Sequence, residues 1–224
     1  MKHEMEEALR DAQLAFLGRL LSGFTHELKN HLAIINEFNG LMGDLLELGM
    51  QKDDETAKKF QKIIVSIAER IEMANTLVKN LNSFGHRMDM SVTVFSVNDI
   101  LREEIALMDK FIRLKGIEFD IDLQQDIPSV RNNPALFQFL GYVFIDAVLS
   151  DAKKGEKIKL VSRKENGNVV VHLEKQTDGS EKDEREADTL RTGLIAYVVE
   201  KLGVDFEREV RNNRYAYRLI LPPA

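Results

Sequence analysis

The sequence predicts an α+β protein: an N-terminal antiparallel helical hairpin, which becomes a four-helix bundle on dimerisation, followed by an α/β sandwich. Three observations predict it. Apolar residues recur at spacings of three and four over two long stretches, separated only by a short polar turn. After Ser91 the pattern breaks into short segments, several of which alternate apolar and polar. Glycine and proline then punctuate the chain where helices and strands must stop and start. These place a helical domain at residues 1–90 and a sandwich domain at 91–224.

The first helix is read from about residue 8 to 48. Leu17, Leu21, Phe24, Leu28, His31, Ile35, Phe38, Met42 and Leu45 form a heptad-like seam, with Leu20, Leu32, Ile34, Leu41 and Leu46 on its flanks. That apolar face is wider than a two-stranded coiled coil needs and suits a bundle. Gly49 to Asp54 is a polar turn. A second helix runs from about Glu55 to Arg87, with a stripe that includes Phe60, Ile63, Ile64, Ile67, Ile71, Leu77, Val78, Leu81 and Phe84. So short a loop makes the helices antiparallel neighbours. One hairpin leaves broad apolar faces, so a homodimer through residues 8–88 is expected, each buried Leu or Ile contributing about 1.5–3 kcal/mol.

The second half reads as shorter elements. Val92 to Phe95 is a strand by its β-branched and aromatic content. Val97 to Leu114 is a helix ended by Lys115-Gly116. Ile117 to Leu123 alternates as a half-buried strand, and Pro134 opens a helix to about Asp151. Lys157 to Arg163 and Val169 to Lys175 flank Glu165-Asn166-Gly167-Asn168 as a hairpin. A helix over Thr192 to Leu202, strands at Asp205 to Val210 and Tyr215 to Leu221, and a turn between those strands complete a mixed sheet with helices on one face.

Composition narrows the function classes. The absence of cysteine excludes disulfides, zinc–thiolate sites and cysteine nucleophiles. A net charge of −6 argues against nucleic acid as a partner. No stretch approaches a membrane span, and acidic residues occupy the N-terminus where a signal peptide has its apolar region. A cytoplasmic protein with no membrane anchor and no separate sensor domain is expected.

With Leu21, Phe24 and Leu28 at positions a, d and a, His26 falls at f, farthest from the bundle core. Asn30 lies one turn later on the same side, and Glu27 sits beside it near the flank. An exposed imidazole attacks phosphorus through one ring nitrogen when the other is held, and Glu27 is the nearest carboxylate to hold it. A lone exposed histidine is as readily a merely solvated residue. His31 falls on the seam as a packed polar group, while His3, His86 and His172 carry no such pattern. Gly18, Gly23, Gly40 and Gly43 each cost a helix about 1 kcal/mol relative to alanine. Gly23, Ala33 and Gly40 lie on the polar side near the line of His26 and keep the surface low there, as the approach of a large partner requires, or else the helix glycines mark close helix contacts.

The run Phe24-Thr25-His26-Glu27-Leu28-Lys29-Asn30-His31-Leu32 resembles the H-box of two-component histidine kinases, with His31 where that family usually has proline. The resemblance covers nearly the whole chain. It implies a dimerisation and phosphotransfer hairpin and an ATPase domain of the histidine-kinase type. It also implies phosphorylation on His26, Glu27 as base or orienter, and Asn30 as an aid to phosphatase chemistry. Arg113 to Phe119 resembles the start of the family's ATP-binding domain, and Asn133 to Leu140 resembles the run into its N-box.

From there the likeness degrades. Tyr142 replaces the first N-box asparagine, and Asp146 replaces the magnesium-binding one, which leaves Asp146 as a vestigial cofactor ligand able to hold a hard cation. The adenine-reading Asp-x-Gly-x-Gly is reduced to Glu174-Lys175-Gln176-Thr177-Asp178-Gly179, and the phosphate-cradling Gly-x-Gly to Arg191-Thr192-Gly193-Leu194. The stretch Ser180 to Asp188, where the lid belongs, is acidic. The expectation is a cofactor-free histidine phosphotransferase that exchanges phosphate with the aspartates of response-regulator receiver domains and binds magnesium-ATP without useful affinity. A kinase or phosphatase that still binds ATP is the alternative within enzymes. A non-catalytic dimeric pseudokinase adaptor is the alternative outside them.

Overall fold

A computed structural model describes residues 2–47, 54–176, 189–211 and 214–224. The expected turn at 49–54, the lid at 180–188, the adjoining 177–179 and the turn residues 212 and 213 lie outside the described residues, apart from Asp54 at the start of the second helix.

Helix α1 spans Lys2–Glu47 and α2 spans Asp54–Met88. They run antiparallel: Phe16 meets Phe84 with ring centroids 5.5 Å apart, while Ile34 shares a cleft with Glu69 at the other end. The stripe of α2 divides in two. Ile63 and Phe84 are buried, with Phe60, Ile67, Leu77 and Leu81 partly so, whereas Ile64, Ile71 and Val78 stay at the surface as an apolar shoulder.

Strand β1 (Thr93–Phe95) leads into α3 (Val97–Lys115). Ser96 caps α3 by accepting from the Asp99 N–H at 3.3 Å. Gly116 ends it in the left-handed conformation (φ 62°), its N–H donating to the Arg113 carbonyl, as a residue without Cβ does most cheaply. Strands β2 (Glu118–Leu123) and β3 (Val130–Asn132) follow, then α4 (Pro134–Asp151), opened by Asn133, which accepts from the Leu136 N–H. Strands β4 (Lys157–Glu165) and β5 (Asn168–Gln176) form the hairpin, turning on Asn166 and Gly167, both at positive φ, as a two-residue primed turn requires. Helix α5 (Thr189–Leu202) and strands β6 (Asp205–Arg211) and β7 (Arg214–Leu221) complete the chain.

The main sheet has the order β2-β4-β5-β7-β6, with β2 and β4 parallel and the remaining pairs antiparallel. This is the mixed sheet expected from the sequence. Ile158, Leu160, Val169, Val171, Leu173, Leu219 and Leu221 bury one face beneath α3, α4 and α5. The opposite face carries charged pairs such as Arg218 with Glu165 and Glu207. Two details differ from the sequence reading. β1 pairs with β3, a three-residue strand too short to announce itself by alternation. β2 is an edge strand, so Ile121 is exposed despite its place in the pattern.

The hairpin is not a free arm. Leu9, Phe16 and Leu20 of α1 and Phe84 of α2 belong to the same buried cluster as α3, α4 and α5. Leu21, assigned to the seam, is exposed, and its neighbour Leu20 is buried instead, because α1 packs here on the sandwich domain rather than on α2 alone. Among the described residues no helix is long and apolar enough to cross a membrane.

Candidate functional site

His26 stands on α1 with its side chain 56% exposed, on the side away from the helical seam. Asn30, one turn on, brings Nδ2 within 3.1 Å of His26 Nδ1. Glu27 is mostly buried beside it, with Oε1 3.9 Å from the same ring nitrogen. Both neighbours therefore address Nδ1, and neither of these contacts engages Nε2. If the Asn30 amide nitrogen donates to Nδ1, the ring proton sits on Nε2. With the amide turned over, its oxygen accepts from Nδ1–H, and the Nε2 lone pair is free.

The other oxygen of Glu27 accepts a hydrogen bond from Arg113 Nη2 at 3.2 Å, so α3 reaches the histidine's immediate surroundings. Arg113 Nε donates in turn to Asp109 Oδ2 at 2.6 Å. Asp109 above all, with a further contribution from Glu27, holds the Arg113 guanidinium pKa above its ordinary value against the opposing effect of burial. A cleft of about 840 Å³ opens beside these groups, walled by Phe24, Glu27, Asn30 and His31 of α1, Met73 and Leu77 of α2, and Asp109 and Arg113 of α3. His31 faces it as a partly packed residue whose Nδ1 is buried without a hydrogen-bond partner. Gly23 is buried rather than open: a Cβ there would lie 3.2 Å from the Phe111 ring, so this glycine lets α3 approach α1. Gly18, Gly40 and Gly43 have open space around them.

Asp146 lies 127 residues from its partner along the chain: Arg19, about two turns before His26, forms an ion pair with it. Arg19 Nη1 also lies 3.3 Å from the Tyr142 hydroxyl, and its guanidinium sits 4.7 Å from the Phe111 ring centroid. Burial lowers the Arg19 pKa, but Asp146 and Tyr142 outweigh it and hold the group above its ordinary value. Burial, reinforced by Asp146, raises the Tyr142 hydroxyl. Phe16 stacks on the Tyr142 ring with centroids 4.1 Å apart. Farther up α1, Glu6 pairs with Lys201 at 2.7 Å and hydrogen-bonds Tyr197, and Met5 approaches Gly193, which lies in the first turns of α5 instead of in a loop. The first half of α1 thus lies across α4 and α5, against the very positions whose side chains depart from the kinase pattern.

Neither Arg19 nor Arg113 was singled out from sequence. Both act through contacts between residues far apart in the chain, and no local spacing signals them. A third group missed was Glu104 of α3, fully buried, with no hydrogen bond of normal geometry to either carboxyl oxygen. Burial pushes this carboxyl up to about 8, against the pull of Gln138 and Arg87.

No protein-family profile matches the chain. It is 25% identical over 188 residues to the cell-division control histidine kinase PdhS of Brucella anthropi, a match that covers 83% of this chain and 18% of that protein. The chain therefore spans less than a fifth of the length of such relatives. Among solved structures it resembles the histidine kinase ThkA in complex with the response regulator protein TrrA, with a TM-score of 0.51 for the separate catalytic domain and 0.52 for the complex. The likeness to the complex covers 100% of this chain and 66% of that one at 20% identity; that to the catalytic domain covers 59% and 96% at 18%. The chain has the architecture of a histidine-kinase core, a helical N-terminal part followed by an α/β domain of the ATPase type. The resemblance first seen around His26 thus holds for the fold as a whole.

Proposed function

We propose that the chain is a two-component phosphotransfer protein that carries a phosphoryl group on His26 and exchanges it with the receiver aspartate of a response regulator. The observation that carries this reading is the geometry at His26: an exposed ring, both neighbours on Nδ1, and an open cleft alongside. In the forward step the Nε2 lone pair attacks the phosphorus of an aspartyl phosphate. The P–N bond forms as the acyl P–O bond breaks, and the aspartate leaves as carboxylate. Nδ1 keeps its proton, which Glu27 or Asn30 accepts as a hydrogen bond while positive charge develops on the ring. The reverse step returns the group. The cleft between α1, α2 and α3 suits the docking of a receiver domain, and the crystal complex of ThkA with TrrA is a precedent for such a pair in a protein of this fold.

Two contacts support a domain that does not use ATP. Asp146, the residue most able to hold magnesium, has its charge met by Arg19, and Tyr142 is stacked under Phe16. A nucleotide would have to break both, at a pocket without its paired glycines. The residues present do not fit magnesium-ATP. The exposed shoulder of Ile64, Ile71 and Val78, with Leu32 and Leu41 on α1, supports a homodimeric four-helix bundle. The acidic net charge and the absence of a spanning helix among the described residues fit a cytoplasmic role without nucleic acid.

The test is incubation with a panel of receiver domains loaded with acetyl phosphate, followed by phosphohistidine detection. Label is expected on the wild-type chain and a loss of roughly a hundredfold or more in His26→Gln. Magnesium-ATP alone should give none. Label from ATP, or no label from any receiver, would sink this reading.

A further inference from the structure

Arg113 stands 86 residues from Glu27 in the chain and outside the histidine motif, yet a continuous line of polar contacts runs from Asp109 through Arg113 and Glu27 to His26. Asp109 fixes the Nε side of the guanidinium from one turn back on α3. That leaves Nη2 to hold one oxygen of Glu27 while the other oxygen faces the His26 ring. We propose that Arg113 is a positioning residue for His26, acting through Glu27: it shares the carboxylate so that Glu27 orients the ring without drawing a second proton onto it. This inference rests on the reading of His26 as the phosphoryl acceptor.

The reason is electrostatic. An unshared carboxylate about 4 Å from an imidazole favours the imidazolium. The imidazolium has no lone pair with which to attack phosphorus. A guanidinium on the far oxygen cancels much of that charge, while the near oxygen, 3.9 Å from Nδ1, still favours the single ring proton on that nitrogen. The cleft also holds Asp109 and Lys110 on α3 and Glu69, Arg70 and Glu72 on α2. These are of mixed sign, and Arg113 is the cation hydrogen-bonded to Glu27. Glu27 has a side chain only 20% exposed, which weakens solvent screening of its interaction with the ring. Arg113 is 60% exposed at the end of its helix, so its replacement spares the core.

The experiment is an NMR titration of the His26 ring in the full chain labelled on histidine, with His26→Gln assigning the resonance. Arg113→Ala should raise the His26 midpoint by about half a unit to one unit, and Arg113→Lys by less. In a Glu27→Gln background the same Arg113→Ala change should move it by about a fifth of a unit or less, since there is no carboxylate to release. The acid limb of the phosphotransfer pH profile should shift with the titration. A midpoint unmoved by Arg113→Ala overturns the proposal. So does a shift equally large without Glu27, which would make Arg113 a mere neighbouring charge. A shifted titration in a protein that accepts no phosphoryl group would uphold the linkage and sink the phosphotransfer reading; an unshifted one in a protein that does accept it would do the reverse.

Discussion

Along α1, the segment before His26 buries Leu9, Phe16 and Leu20 against α3, α4 and α5, whereas the segment after it leaves Leu32, Leu41 and Leu46 at the surface. α2 repeats the contrast, with Phe84 buried at one end and Ile64 and Val65 exposed toward the other. Apolar residues recur at helical spacing through both regions. The difference is the partner. The first region finds its cover far downstream in the same chain, on α3, α4 and α5. The second finds only the other helix, and a helix face of that width is stable when something else lies on it. An amphipathic stripe specifies that a face is covered, not by what.

The covered region is the place to break that comparison most forcefully. Phe16→Ala removes a ring that touches Phe84, Phe139 and Tyr142, and should cost about 3–5 kcal/mol in denaturant unfolding. Loss of less than about 1 kcal/mol would mean that the two domains barely stabilise one another. The exposed region predicts the opposite signature. Ile64→Lys should change the stability of the monomeric fold by about 0.5 kcal/mol or less, yet weaken self-association by about 2–3 kcal/mol, turning dimer to monomer in sedimentation at micromolar concentration. A parent chain that already sediments as a monomer would remove the second copy from the account.

A finer test uses Glu104, in the covered region. Its folded-state pKa of about 8 lies above the ordinary 4.5, so the folded chain holds a proton that the unfolded chain sheds. Its contribution is therefore greatest below about pH 4.5 and is lost as pH rises through about 8. Glu104→Gln should match the parent near pH 5 and exceed it by about 1–2 kcal/mol above pH 8, flattening the pH dependence of unfolding. An unchanged slope would show that Glu104 is solvated in solution.

How much of this could be read beforehand follows from the range of each interaction. Helix starts and stops rest on neighbours: Asn133-Pro134 at the head of α4, Gly116 at the tail of α3, Asn166-Gly167 in the β4–β5 turn. Each is legible because the cause lies within a few residues of the effect. The His26, Glu27 and Asn30 group is legible for the same reason, being set by helical spacing on one strand of sequence. The burial of Leu20 in place of Leu21 is not, because it depends on where a distant domain docks. Phe16, Arg19 and Arg113 look like ordinary helix residues until α3 and α4 are brought beside them. The pairing of β1 with β3 fails to show for a different reason, since three residues are too few for a period to register.

The clasp of Arg19 on Asp146 has a mechanical corollary. A domain held to the shaft that bears the histidine keeps one jaw of the adjoining cleft at a set distance, and the cleft becomes a gauge of fixed aperture rather than a gate that opens and shuts. A gauge sorts visitors by shape and by the charges along its walls. On the proposed reading of His26, the rate at which the phosphoryl group is handed on would then follow how many fitting visitors are present.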